Sequence, residues 1–262
     1  ASTPIDVTLT IPASSGTLVT AEGMAGAGGA AGVGYLPSGT GAVATTVQSK
    51  LQTYKSVNDK GAEPSPSVSA TAFQLAINDV VTDSTTVGRG AFDLTPGVEY
   101  SIATQLEFNK KTVLVRGNNA MIKWGGNNST SILRITDSAR CRIQDLILAG
   151  DLSNPPLAAI NFDRVISSGE KGTNENFIVD NVTIGRKFTQ DTTTGGSSDA
   201  TPYGKVQNGI LVGGIDGNND EVCISRTQVH GATVAGISFL NTQSIWSSLR
   251  DVLVNDSVIG LY

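Results

Sequence analysis

The chain has 262 residues and a formal net charge of −5; 39% of its residues are hydrophobic, 16% are charged and 30 are glycine. That is enough apolar residue for a sizeable core in one or two domains, and little charge combined with so much glycine favours turn-rich β structure over helical bundles. An acidic balance with no clustered lysine and arginine argues against a nucleic-acid partner, and no apolar run approaches the about 20 residues needed to insert into a membrane.

Residues 5 to 20, IDVTLTIPASSGTLVT, alternate β-branched and polar residues around Ser14-Ser15-Gly16 and predict two short strands. Residues 1–22 therefore form a β-rich segment. Residues 23–46 are a Gly-rich linker whose first part, GMAGAGGAAGVG, cannot bury a core and lacks the pattern of a phosphate-binding loop. Val47, Leu51 and Tyr54 follow at i, i+4 and i+7, a narrow helical stripe within residues 47–62. One short helix of this kind is unstable alone in water. It can be buried by three copies around an axis or by its own domain.

The junction GVGYLPSGTGAVATTVQSKLQTYKSVNDKGA, residues 32 to 62, resembles that of bacteriophage tail spikes and tail fibres. The likeness is close at Gly34 to Leu36 and Gly39 to Leu51. It is weaker over Ser56, Val57, Asp59, Gly61 and Ala62, where Lys60 replaces the usual aromatic, and the family's acidic continuation is replaced by Glu63-Pro64-Ser65-Pro66-Ser67. The resemblance implies a virion protein of the phage tail. Its N-terminal region would join other tail proteins, Val47, Leu51 and Tyr54 would form the neck of a homotrimer, and a parallel β-helix would meet a host surface polysaccharide.

Residues 70 to 81 predict a helix, with Thr71 and Gln74 at capping-box spacing and Phe73, Ala76, Ile77 and Val80 on one face. In the resembling family such a helix plugs the end of the β-helix. Short strands are predicted at Val98 to Ile102, Thr112 to Val115, Ala120 to Trp124 and Ile132 to Thr136. A repeat then aligns 141 to 148, 177 to 184, 222 to 229 and 247 to 254 on Ile143, Val179, Ile224 and Leu249. Each anchor has apolar partners at +5, namely Leu148, Ile184, Val229 and Val254, and a later strand carries Ile160, Ile210, Ile237 and Leu261. The anchors lie 36, 45 and 25 residues apart, so the shortest interval is a bare coil and the others hold insertions, the largest at 186 to 207. The expected fold is all-β: a right-handed single-stranded parallel β-helix over 63–262 with its capping helix, preceded by a short neck helix and a small β-rich N-terminal attachment region. The chain stops within an apparent strand, VIGLY, so further coils are expected beyond Tyr262.

Family likeness implies glycan recognition or, alternatively, glycan cleavage by a hydrolase or lyase. A hydrolase needs two carboxylates about 5 to 9.5 Å apart. At anchor +2 stand Asp145, Asn181, Arg226 and Asp251, so with coils about 4.8 Å apart the two acids are separated by about 14 Å. Arg226 is instead expected to pair with Asp251, and no catalytic residue can be named. Loop acids Glu170, Asp191 and Asp199 are the remaining route to cleavage. Trp124, Tyr203 and Trp246 offer flat faces for sugar stacking. His230 reads as a solvated or Asn-bonded turn residue, Cys141 and Cys223 as buried free thiols, and no metal or cofactor site is evident.

Overall fold

The computed structural model describes residues 34–35, 44–47, 55–56, 70–79, 90–109, 112–136, 138, 140–163, 174–185, 204–213, 219–240 and 246–262. The chain falls into two compact units, Ala1–Thr53 and Tyr54–Tyr262. In the first, β1 (Gly34–Tyr35) pairs antiparallel with β2 (Thr45–Thr46), inside the stretch expected to be a linker. Of the neck stripe, Val47 is half-buried, whereas Leu51 and Tyr54 lie outside the described residues, as does the segment 1–22.

The second unit opens with β3 (Lys55–Ser56) and α1 (Ala70–Asp79), and six coils follow among the described residues. The first coil holds β4 (Gly90–Asp93), β5 (Glu99–Ile102) and β6 (Leu106–Asn109); the second holds β7 (Val113–Trp124) and β8 (Leu133–Thr136). The third is β9 (Arg142–Ala149) and β10 (Ala158–Phe162), and the fourth is β11 (Asn174–Ile184) and β12 (Val206–Val212). The fifth has β13 (Asn219–Ser225), β14 (Gln228–His230) and β15 (Ala232–Phe239), and the sixth β16 (Ser248–Arg250), β17 (Leu253–Asn255) and β18 (Ile259–Leu261).

Each coil pairs in parallel with the next, which builds three faces. The first runs β3, β4, β7, β9, β11, β13, β16, and the third runs β6, β8, β10, β12, β15, β18. The second is made by β5, the later halves of β7, β9 and β11, and then β14 and β17. Consecutive strands on different faces, each paired in parallel one coil away, make this a parallel β-helix.

Side chains alternate across a strand, so every second residue enters the coil, and equal register stacks like on like. Val115, Ile143, Val179, Ile224 and Leu249 form one inward ladder. Ile122, Leu148, Ile184, Val229 and Val254 form the second, and Leu133, Ile160, Ile210, Ile237 and Leu261 the third. A fully buried rung of this size contributes about 1.5 to 3 kcal/mol. Ile143, Val179 and Ile224 are buried as expected, but Leu249 is 40% exposed. It lies on the sixth coil, which within residues 1–262 has a neighbour on one side alone.

Helix α1 buries Phe73, Ala76 and Ile77, and the Phe73 ring meets Tyr100 edge-on at 5.0 Å. Gln74 does not close a capping box. Its amide nitrogen donates to the Glu107 carbonyl at 2.9 Å while its amide oxygen accepts from the Glu107 N–H at 2.9 Å. The side chain thus takes the place of a neighbouring strand at β6, an edge that would otherwise offer free peptide groups.

The largest insertion leaves after Gly185 and returns at Gly204. Gly185 has φ +82°, and a Cβ there would lie 2.0 Å from the His230 carbonyl oxygen one coil on. Its lack of a side chain lets the fourth and fifth coils close together beside the insertion. Cys141 and Cys223 are both free; Cys141 is buried as expected, whereas Cys223 is only half-buried. They stand at anchor −2 and anchor −1, hence on opposite sides of the sheet, and burial pushes the Cys141 thiol up to about 11.

Candidate functional site

The turn from the first face to the second is a single residue in the third to sixth coils. Asp145, Asn181, Arg226 and Asp251 hold it with φ of 54°, 54°, 48° and 53°. Asp and Asn adopt this left-handed conformation most readily after glycine because a short polar side chain can bond locally. That explains three of the four residues at anchor +2. Arg226 departs from the rule at a cost of about 1 to 2 kcal/mol, and its side chain shows what offsets it.

Beside this corner, anchor +1 forms an outward row in register: Asp93, Arg116, Gln144, Asp180, Ser225 and Arg250. Arg116 grips Asp93 through two hydrogen bonds, of 2.5 and 2.8 Å. Asp180 is the centre of a larger cluster. Arg226 donates to it from Nε at 2.9 Å and Nη2 at 2.6 Å, Arg142 from Nη2 at 3.0 Å and Ser225 from Oγ at 2.8 Å. The cluster therefore ties the third, fourth and fifth coils through one buried carboxylate. Hydrogen bonding from Arg226 is the largest influence on Asp180; with Ser225 and Arg142 it overcomes the opposing effect of burial and holds the carboxyl well below the usual carboxylate range.

Asp145 accepts from the Asn181 amide at 2.7 Å and from Gln144 at 3.1 Å. The strand order puts Asp145 and Asp251 three coils apart, as expected. The expected pair of Arg226 with Asp251 is replaced by the bidentate pair with Asp180, and Asp251 instead lies 3.4 Å from Arg250 Nε. Register brings a different acid beside Asp145, since Asp180 is on the next coil and one residue earlier in phase. This pair is not equipped for hydrolysis. A carboxylate held ionised by two guanidinium groups cannot donate a proton, and its lone pairs are occupied as a nucleophile's would not be.

The three stacking candidates separate. Trp124 is a correction: it is 1% exposed, among the largest fully buried side chains, and its indole N–H donates to the Asn127 carbonyl at 3.1 Å. It follows Ala120 and Ile122 on the inward phase of β7, and Gly126 packs against its ring. Trp246 is 80% exposed, two residues before β16 and so beside the first face. Tyr203 lies outside the described residues, as do Glu170, Asp191 and Asp199.

A concavity of about 430 Å³ sits at the root of the large insertion, lined in part by Gly185, Gly204, Lys205, His230, Asp256 and Val258. His230 is buried rather than solvated, with Nε2 3.4 Å from Gln228 Oε1, because it continues β14 instead of forming a turn. Among the described residues no group of three or more His, Cys, Asp or Glu side chains could hold a metal ion, and no helix is long and apolar enough to cross a membrane.

No protein-family model matches the chain, and no curated protein matches it. Among solved structures, it is similar to tailspike proteins of Escherichia coli bacteriophage HK620. A mutant form shares 12% identity over 91% of this chain and 46% of its own, with a TM-score of 0.49. A pentasaccharide complex shares 14% over 91% and 46%, with a TM-score of 0.46. A hexasaccharide complex shares 14% over 90% and 56%, with a TM-score of 0.43. The chain spans about half the length of these proteins.

Proposed function

We propose that the chain is part of a phage tail spike or tail fibre that attaches to the tail through its N-terminal region and binds a host surface polysaccharide along the first face of its β-helix. The junction at residues 34 to 62 supports the phage reading. The observation that carries the binding reading is the continuous row of oriented polar groups on that face. Gln144, Asp180, Ser225 and Arg250 succeed one another by about 4.8 Å per coil, flanked by the corner groups Asp145, Asn181, Arg226 and Asp251. Such a track of paired donors and acceptors suits the hydroxyl groups of a sugar chain lying along the axis. Trp246, exposed beside it, supplies a flat apolar face for a ring.

The assembly proposed is a homotrimer with Val47, Leu51 and Tyr54 in its neck, and Leu51→Asp is expected to convert it to monomers in light scattering. An unchanged mass would reject the neck. Binding is tested by titrating purified capsular and O-antigen polysaccharides into the full chain. Trp246→Ala is expected to weaken the interaction about tenfold, equivalent to about 1.4 kcal/mol, and no release of reducing ends is expected. Saturable release of reducing ends would replace recognition by cleavage.

A further inference from the structure

We infer that the bound polysaccharide is acidic, and that its carboxylates are received by Arg142 and Arg226; this rests on the first face being the glycan surface. Two guanidinium groups share the one carboxylate of Asp180. Neither group is exhausted by the contact. Arg226 uses Nε and Nη2 and Arg142 uses Nη2, while their side chains remain 58% and 45% exposed. The remaining N–H groups are available in a fixed orientation, the condition under which a guanidinium takes a carboxylate in a planar, two-point fashion.

The neighbouring acids Asp145 and Asp251 attract Arg226 through space, but each takes its hydrogen bonds from other donors. Asp145 is engaged by Asn181 and Gln144, and Asp251 by Arg250. Arg226 also occupies a corner at which its three counterparts are Asp or Asn, at a backbone cost that a merely structural corner would avoid. Its anchoring by Asp180 offsets that cost and at the same time removes the motion an arginine loses on binding a ligand. The two arginines come from coils three and five, but their Nη2 atoms both bond Asp180 Oδ2, at 3.0 and 2.6 Å, so their guanidinium groups converge on one place of the face and one sugar unit can meet both.

The test uses the full chain and a panel of acidic bacterial capsular polysaccharides, each paired with its carboxyl-reduced form, in which every uronic carboxylate has become a primary alcohol. Calorimetric titration is expected to show at least tenfold weaker binding after reduction, and a marked loss between 50 and 200 mM salt for the acidic form alone. Arg142→Gln, which leaves the bidentate Arg226–Asp180 pair intact, is expected to cost about tenfold with the acidic form and nothing with the reduced one. Arg226→Lys, which keeps the charge and removes the fork, should weaken binding of the acidic form more than that of the reduced one wherever its melting curve shows a folded protein. Equal affinity for acidic and reduced forms would overturn the acidic assignment and leave glycan recognition standing. Failure to bind any member of the panel in either form would overturn both.

Discussion

Replacing Asp180 with alanine is expected to lower the stability of the β-helix by about 2 to 4 kcal/mol, since it removes several charge-assisted hydrogen bonds at once. The half-exposed arginines can rehydrate, which keeps the loss below that of an uncompensated buried charge. Arg226 would then hold a left-handed corner with nothing to offset it. For a body of about 200 residues the melting midpoint should fall by about 5 to 12 °C. The pH dependence gives a sharper check. Asp180 has a depressed folded-state pKa, so its contribution is complete above the unfolded value of about 3.9 and is lost as pH falls toward the folded one. The gap between the two proteins should therefore be constant from neutral pH to about 5 and shrink below about 4. A gap that widens in acid would show that Asp180 is not the ionised hub of the cluster.

Gly185→Ala is expected to destabilise by about 3 kcal/mol or more, through left-handed strain and a collision with backbone. The new Cβ would lie 2.0 Å from the His230 carbonyl oxygen, a main-chain atom that cannot rotate away. The damage should be local to the fourth and fifth coils. Hydrogen exchange should quicken across β12, β14 and β15 while β5 and β7 stay protected, because each coil meets only its neighbours. Uniform loss of protection would mean that the coils unfold as one unit.

The middle of the fold was legible because the third to sixth coils share a one-residue corner, so Ile143, Val179, Ile224 and Leu249 align without gaps. The first two coils were hidden by the same corner. In β7, Gly117, Asn118 and Asn119 stand where β9 has Asp145 alone, and the register shifts between Arg116 and Ala120. An ungapped repeat therefore misses Val115, although it pairs with Ile143. Trp124 was misread because Gly125-Gly126-Asn127-Asn128 looks like an exposed turn. Counting by two from Ala120 through Ile122 would have placed it inside. Asp180 does not stand out in the sequence because its partners lie 38 and 46 residues away. No local pattern marks such a cluster. A signal did exist in Arg226, the one residue of its column that is neither Asp nor Asn.

The two kinds of corner also divide what can change in this protein by descent. Where the chain leaves the second face for the third, the stretch from Leu148 to Ile160 is longer than that from Val229 to Ile237, yet the ladders on either side keep their register. The corner beside the polar row is narrower in what it allows: it holds one residue in the third to sixth coils and three in β7, whereas a single added residue would turn the next strand's inward side chains outward. Diversification on the first face is therefore confined to exchanging side chains in place, one position per coil. Change along this row therefore proceeds by single substitutions, each altering one position and leaving the spacing between positions untouched.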